Sequence, residues 1–105
     1  MDSRKTDISL LKILQKDPTI TQRGIAAEIG LSLGTVNYCL KKLVEKGWVK
    51  TNNFRYSNNK KSYSYLLTTK GIKEKKRLII EFIACKEKEY QQIKREIARL
   101  KKEVS

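Results

Sequence analysis

Apolar residues return at helical spacing in three successive stretches before the pattern changes to period two. In the first, Ile8, Leu11 and Leu14, joined by Leu10, share one face of a segment that Asp7 can cap and that runs to about Lys16. Asp17-Pro18 ends it, because the residue before a proline is pushed out of the helical region. Thr19-Ile20 is expected to form a short strand against the base of a later hairpin. A second helix, Gln22 to Ile29 with Thr21 as its cap, turns Ile25, Ala26 and Ile29 inward. The third begins at Ser32, whose side-chain oxygen can accept from backbone N–H groups two or three residues on. Val36, Leu40 and Leu43 form its buried stripe with Cys39 beside them, and Gly47 stops it at a position that favours positive φ. Gly34, Asn37, Tyr38 and Lys41 share the opposite face, three and four residues apart.

Two short helices joined through a tight Gly30-Leu31 turn make a helix-turn-helix, whose second helix enters a major groove. Ala26 and Ala27 are small enough to let the two helices cross closely. The front of the third helix carries amide, phenol and ammonium groups suited to a nucleic-acid groove; an ordinary amphipathic surface helix would show the same apolar stripe. From Trp48 onward the alternation is strand-like: Trp48, Lys50 and Asn52 against Val49, Thr51 and Asn53, then Tyr63, Tyr65 and Leu67 against Ser62, Ser64 and Leu66. Between these runs Asn58-Asn59 tolerates positive φ and is the expected hairpin tip. Arg55, Lys60 and Lys61 would project from it as phosphate contacts or into a minor groove; a hairpin kept soluble by its lysines is the other reading.

Thr68 or Thr69 starts a last helix with no breaker from Gly71 onward. About 34 residues at ~1.5 Å each give roughly 50 Å, more than so small a body can cover. Ile79, Lys86, Ile93 and Leu100 recur every seven residues, as do Ile83, Tyr90, Ile97 and Val104. Taken as d and a positions, they form a heptad seam. In a parallel pair the flanks set Glu89 against Lys94 and Glu96 against Lys101; an antiparallel pair would set glutamates against each other. Each exposed pair contributes only ~0–1 kcal/mol, so the flanks choose orientation more than affinity. Lys86 weakens its layer but can turn its ammonium outward. Leu78, Ile79, Ile80, Phe82 and Ile83 cover nearly the whole circumference, so the start of this helix is expected to be buried on more than one side. A lone charged helix folding back on its own domain is the alternative. A basic membrane-surface helix fits less well, because acidic residues recur along its polar faces.

The run GLSLGTVNYCLKKLVEKGWVK, a polar hairpin, and then YLLTTKGIKEK resemble the winged helix-turn-helix of MarR-type bacterial regulators. Within that family the chain is most similar to the small EPS-associated (exopolysaccharide-associated) subgroup. The resemblance covers about Asp7 to the early part of the last helix, and LGTVNYCL, EKGWVK and LLTTKG are its most specific pieces. It implies that Ser32, Thr35, Asn37, Tyr38 and Lys41 face DNA and that the hairpin is a wing. Many MarR proteins dimerise through both terminal helix pairs, and this N-terminal segment is short for that role. Ligand pockets of larger relatives therefore do not carry over, and a small-molecule effector stays unknown.

Charge supports the same partner. Among 105 residues the formal net charge is +13, with a pI near 9.9, which points to a polyanion. Residues 1–71 hold 13 basic and 5 acidic side chains, and residues 72–105 hold 11 and 6, so both parts are basic. There is no histidine, the two cysteines lie far apart, and no phosphate-binding glycine pattern is present. Enzymatic chemistry, a metal site and a cofactor are therefore not expected. Unpaired cysteines, no secretory pattern at the start and no apolar run of ~20 residues lead to an expected cytoplasmic setting with no membrane partner.

The expected architecture is mainly α with a small β-hairpin wing. A winged helix-turn-helix DNA-binding domain would occupy 1–71, and a long C-terminal helix at 72–105 would dimerise as a parallel coiled coil. The expected function is a homodimeric, sequence-specific transcriptional regulator with double-stranded DNA as partner, and the resemblance to the EPS-associated subgroup implies exopolysaccharide genes as its targets. Asn37 suits an adenine edge and Lys41 a guanine edge, while Tyr38 can stack or touch a thymine methyl, with Gly34 on the same face. Thr21, Gln22, Arg23, Ser32, Thr35 and Lys42 suit phosphates. Ile79, Ile83, Tyr90, Ile93, Ile97, Leu100 and Val104 would make the dimer seam. A winged-helix module that holds protein partners in an assembly is the rival from another class; RNA binding is weaker, since no aromatic stacking platform is visible.

Overall fold

The computed structural model describes residues 3–56 and 60–105, with the side chains of residue 3 and residues 53–63 outside the described set. In chain order the elements are α1 (Ser3–Lys16), α2 (Gln22–Ile29), α3 (Leu33–Glu45), β1 (Val49–Tyr56), β2 (Lys60–Leu67) and α4 (Thr69–Val104). The strands pair antiparallel, from Val49 with Leu67 at the base to Tyr56 with Lys60 near the tip.

The apolar stripes predicted for the first three helices meet in one core. Leu10, Leu11 and Leu14 of α1, Ile25 of α2, and Val36, Leu40 and Leu43 of α3 are all essentially inaccessible to solvent. Trp48 and Val49 close that core from the hairpin base, and Leu78 closes it from α4. Each such side chain contributes ~1.5–3 kcal/mol by leaving water. Ala26 packs at the edge of this core, whereas Ala27 is exposed and takes no part in the helix crossing.

Two local expectations are corrected. Asp7 does not cap α1, which begins four residues earlier at Ser3. Tertiary contact recruits the extra turn: the Arg4 guanidinium donates to Cys85 Sγ at 3.2 Å and stands 3.8 Å from the Glu81 carboxylate, both on α4. Asp7 is instead half-buried inside the helix. Burial pushes its carboxyl above the usual aspartate range, and the Lys46 charge pulls part of the way back. Thr19-Ile20, the second case, lies outside any strand. Asp17 Oδ1 accepts from both the backbone N–H and the hydroxyl of Thr19, folding the segment into a turn. What remains of the expected pairing is one bond, from the Tyr65 N–H to the Pro18 carbonyl at 3.0 Å.

Thr68 is the cap of α4: its hydroxyl accepts from the Gly71 N–H and donates to the Gly47 carbonyl at 2.6 Å. Its own N–H reaches the Trp48 carbonyl, so the start of α4 is tied to the hairpin base. The helix then lies against α1, with Leu78 buried and Ile79 and Phe82 packed on the core. The globular body thus extends into α4 as far as the half-buried Cys85, which Arg4 of α1 reaches. From Lys86 onward every residue is exposed. At 1.5 Å per residue this 36-residue helix is about 54 Å long, and the molecule measures 73 × 26 × 20 Å.

Candidate nucleic-acid interface

The helix-turn-helix is built by its caps. Thr21 Oγ1 accepts from the Gly24 N–H at 3.0 Å and opens α2. Gly30 closes that helix at φ 79°, where a residue with a Cβ would be strained, and its N–H returns to Ala26 O at 2.8 Å. Two residues later Ser32 Oγ accepts from the Thr35 N–H at 3.1 Å and opens α3. The chain leaves α3 through Gly47 at φ 77°, directly into the hairpin. Short caps at each junction therefore fix how α3 stands relative to α2 and the hairpin.

With Val36, Leu40 and Leu43 inward, the face bearing Gly34, Thr35, Tyr38, Lys41 and Lys42 is exposed. Tyr38 keeps 60% of its surface accessible, and the Lys42 ammonium lies 5.4 Å from its ring centroid. Asn37 shares this face but is half-buried, because its Oδ1 accepts from Gln22 Nε2 at 3.3 Å. The same Gln22 nitrogen donates to the Tyr65 hydroxyl at 3.1 Å. Gln22 thus points into a cleft between α3 and the hairpin base, lined also by Lys41, Glu45 and Thr51. Thr21, Arg23, Ser32, Thr35 and Lys42 are exposed. The Ser32 and Thr35 hydroxyls lie 2.8 Å apart and share one proton, which leaves the other free to donate to an anion.

Tyr65 was not among the residues singled out by sequence. Its backbone is pinned to Pro18 and its hydroxyl to Gln22, so one strand residue ties the α1–α2 turn to α2 and, through Gln22 and Asn37, to α3. The expected wing residues Arg55, Lys60 and Lys61 lie in the strands, with Arg55 opposite Lys61, but their side chains are outside the described set. Asn58 and Asn59 also lie outside the described residues. Cys39 is half-buried beside the core, and burial, helped by the Asp7 carboxylate, pushes its thiol pKa up. That is the environment of a packing residue, not of an activated nucleophile.

Along α4 the expected seam divides. Ile79 is half-buried on the protein's own core, whereas Ile83, Tyr90, Ile93, Ile97, Leu100 and Val104 are all exposed. Ile80 is bare as well, so beside the buried Leu78 the helix still carries an uncovered apolar flank. Lys86 interrupts the seam; its ammonium sits 3.2 Å from Glu89 and 5.2 Å from the Phe82 ring centroid. Among the described residues no helix is long and apolar enough to cross a membrane, and no group of three or more His, Cys, Asp or Glu could hold a metal ion.

Comparison with known proteins agrees with this geometry. Residues 3–50 match the winged helix-turn-helix DNA-binding family. An uncharacterized protein of Methanocaldococcus jannaschii is 32% identical over 73 residues, or 70% of this chain, which spans about a quarter (25%) of that relative's length. The PcaV transcriptional regulator of Streptomyces coelicolor superposes with TM-score 0.63 at 20% identity, over 75% of this chain and 55% of that one. A MarR/EmrR family transcriptional regulator of Acinetobacter superposes with TM-score 0.58 at 26% identity, over 80% of this chain and 57% of that one. The chain therefore has the winged helix-turn-helix fold seen in these transcriptional regulators.

Proposed function

We propose that this protein is a homodimeric, sequence-specific transcriptional regulator that binds double-stranded DNA and catalyses no reaction. The observation that carries the reading is the exposed front of α3, where Tyr38, Lys41 and Lys42 stand clear of a core that fully buries the opposite stripe. Lys41, Tyr38, Asn37 and the open surface at Gly34 meet base edges, while Thr21, Arg23, Ser32, Thr35 and Lys42 meet phosphates. Arg55, Lys60 and Lys61 of the hairpin add backbone contacts as a wing.

The second copy is recruited by α4. Its uncovered stripe from Ile83 to Val104 continues the heptad beyond the reach of the protein's own body. A parallel pairing sets Glu89 against Lys94 and Glu96 against Lys101 of the second copy, and would place two α3 helices in successive major grooves. The likeness of the LGTVNYCL, EKGWVK and LLTTKG blocks to the EPS-associated subgroup supports exopolysaccharide genes as the regulated set. Binding to duplex DNA across a salt series tests the reading. If the dimer neutralises ~6–10 phosphates, affinity falls about 10³–10⁵-fold between 50 and 200 mM salt. A protein-assembly module would show no such slope.

A further inference from the structure

We propose that Gln22 and Tyr65 are specificity-determining positioning residues, which hold the Asn37 carboxamide in one sense and so decide which base edges it reads. This rests on the reading of α3 as a DNA-reading helix. Asn37 lies on the reading face, yet it does not stand free like Tyr38 and Lys41. Its Oδ1 accepts from Gln22 Nε2 at 3.3 Å, and that nitrogen is held from its other side by the Tyr65 hydroxyl at 3.1 Å. Tyr65 is itself fixed at its backbone by Pro18. The three polar side chains come from α2, α3 and β2, so the arrangement is made by the fold and not by neighbours in sequence.

The chemistry follows from which atom of each amide is engaged. A carboxamide presents an acceptor on one side and two N–H donors on the other, and rotation by half a turn exchanges them. Gln22 uses its nitrogen toward both partners, which draws Asn37 Oδ1 inward and leaves the Nδ2 donors to face outward. In the major groove, guanine offers only acceptors, N7 and O6, whereas cytosine offers only its N4 amino donor. An Asn37 held in this sense favours guanine over cytosine at the base it meets, and it accepts adenine through N7. Free rotation of the amide would erase that distinction. Gln22 then acts through Asn37 and not as a phosphate ligand, although both roles use the same amide nitrogen.

Substitutions separate the roles. Gln22→Glu replaces the donor with a carboxylate that can only accept, so Asn37 turns Nδ2 inward and Oδ1 outward. Gln22→Met keeps the length and removes both hydrogen bonds. Tyr65→Phe removes the second partner that holds Gln22 in place. The full-length chain and each variant, checked for native helix content by circular dichroism, are used to enrich a randomised duplex library at physiological salt. Asn37→Ala locates the base pair that Asn37 reads, as the position whose preference disappears. At that position the guanine-to-cytosine ratio should exceed unity by about five- to tenfold in the natural protein. It should approach unity with Gln22→Met, fall partway with Tyr65→Phe, and reverse with Gln22→Glu. Weaker binding of all sequences with an unchanged ratio would assign Gln22 to the phosphates and overturn the positioning role alone. Absence of any enrichment by the natural protein would overturn the DNA reading and this inference together.

Discussion

Gly71 is where α4 meets the hairpin base, and replacing it with alanine tests whether that joint holds the body together. A Cβ built on Gly71 would overlap the Trp48 carbonyl oxygen and stand 2.8 Å from its carbonyl carbon. The obstacle is backbone, so no rotamer change can make room. To relieve the overlap α4 must move away from Trp48. That movement stretches the Thr68 N–H bond to Trp48 O and the Thr68 hydroxyl bond to Gly47 O, now 3.0 and 2.6 Å. Overpacking of this kind costs ~1–3 kcal/mol, and each lost hydrogen bond about 1 kcal/mol. The better helix propensity of alanine returns ~1 kcal/mol at most. The net loss is about 3 kcal/mol, which for a body of this size lowers Tm by roughly 10–20 °C. Thermal unfolding followed by far-ultraviolet circular dichroism, at one protein concentration, reads this directly. Gly34→Ala is the comparison, since a Cβ there meets nothing within 4 Å and should leave Tm unchanged or slightly raised. A Gly71→Ala protein melting within about 3 °C of the natural one would refute the close approach of α4 to Trp48.

Other consequences concern α1 and the far end of α4. Because the Asp7 pKa is raised on folding, the stability it contributes is complete below the usual aspartate range and is lost as pH rises through the raised value. Asp7→Asn should therefore raise Tm at pH 7 and give no gain at pH 3; the same increment at both would show that burial of the charge is not the cause. Truncation after Lys86 keeps Leu78, Ile79 and Phe82 on the core and removes the bare stripe from Tyr90 to Val104, leaving only Ile83 of that seam, with Ile80 beside it, uncovered, so it should yield a folded monomer by sedimentation. A cut nearer Arg77 would confuse dimer loss with damage to the body, because Leu78 belongs to the core. A dimer that survived truncation after Lys86 would place the interface elsewhere.

The helix-turn-helix was legible because its information is local. Thr21, Gly30, Ser32 and Gly47 each satisfy backbone groups within a few residues, and each cap falls where the sequence places it. The interior stripes were legible for a similar reason, since Val36, Leu40 and Leu43 carry their period in the sequence. What was missed depends on contacts between distant residues. Asp7 is a good cap residue, but Arg4 reaches Cys85 and Glu81 some eighty residues away and extends the helix past it. Thr19 has the composition of a strand, yet the Asp17 carboxylate captures it first. Tyr65 reads as one more aromatic in a strand; only the fold brings its hydroxyl to Gln22, 43 positions earlier. The heptad repeat gave the length of the seam but not where it frees itself from the body. Burial of Leu78, half-burial of Phe82 and the Arg4 contact at Cys85 put that point just before Lys86.

Hydroxyl-radical footprinting of the 105-residue chain on a selected duplex puts the central idea to the most direct test, because it reports both the proposed reading role of α3 and whether a second copy binds beside the first. Two protected segments related by a dyad, with centres about 34 Å or ~10 base pairs apart, are expected from two α3 helices in successive major grooves. A single protected segment, or protection that persists unchanged after truncation at Lys86, would contradict a dimer built on α4. No protection at low salt would contradict the DNA-binding role itself.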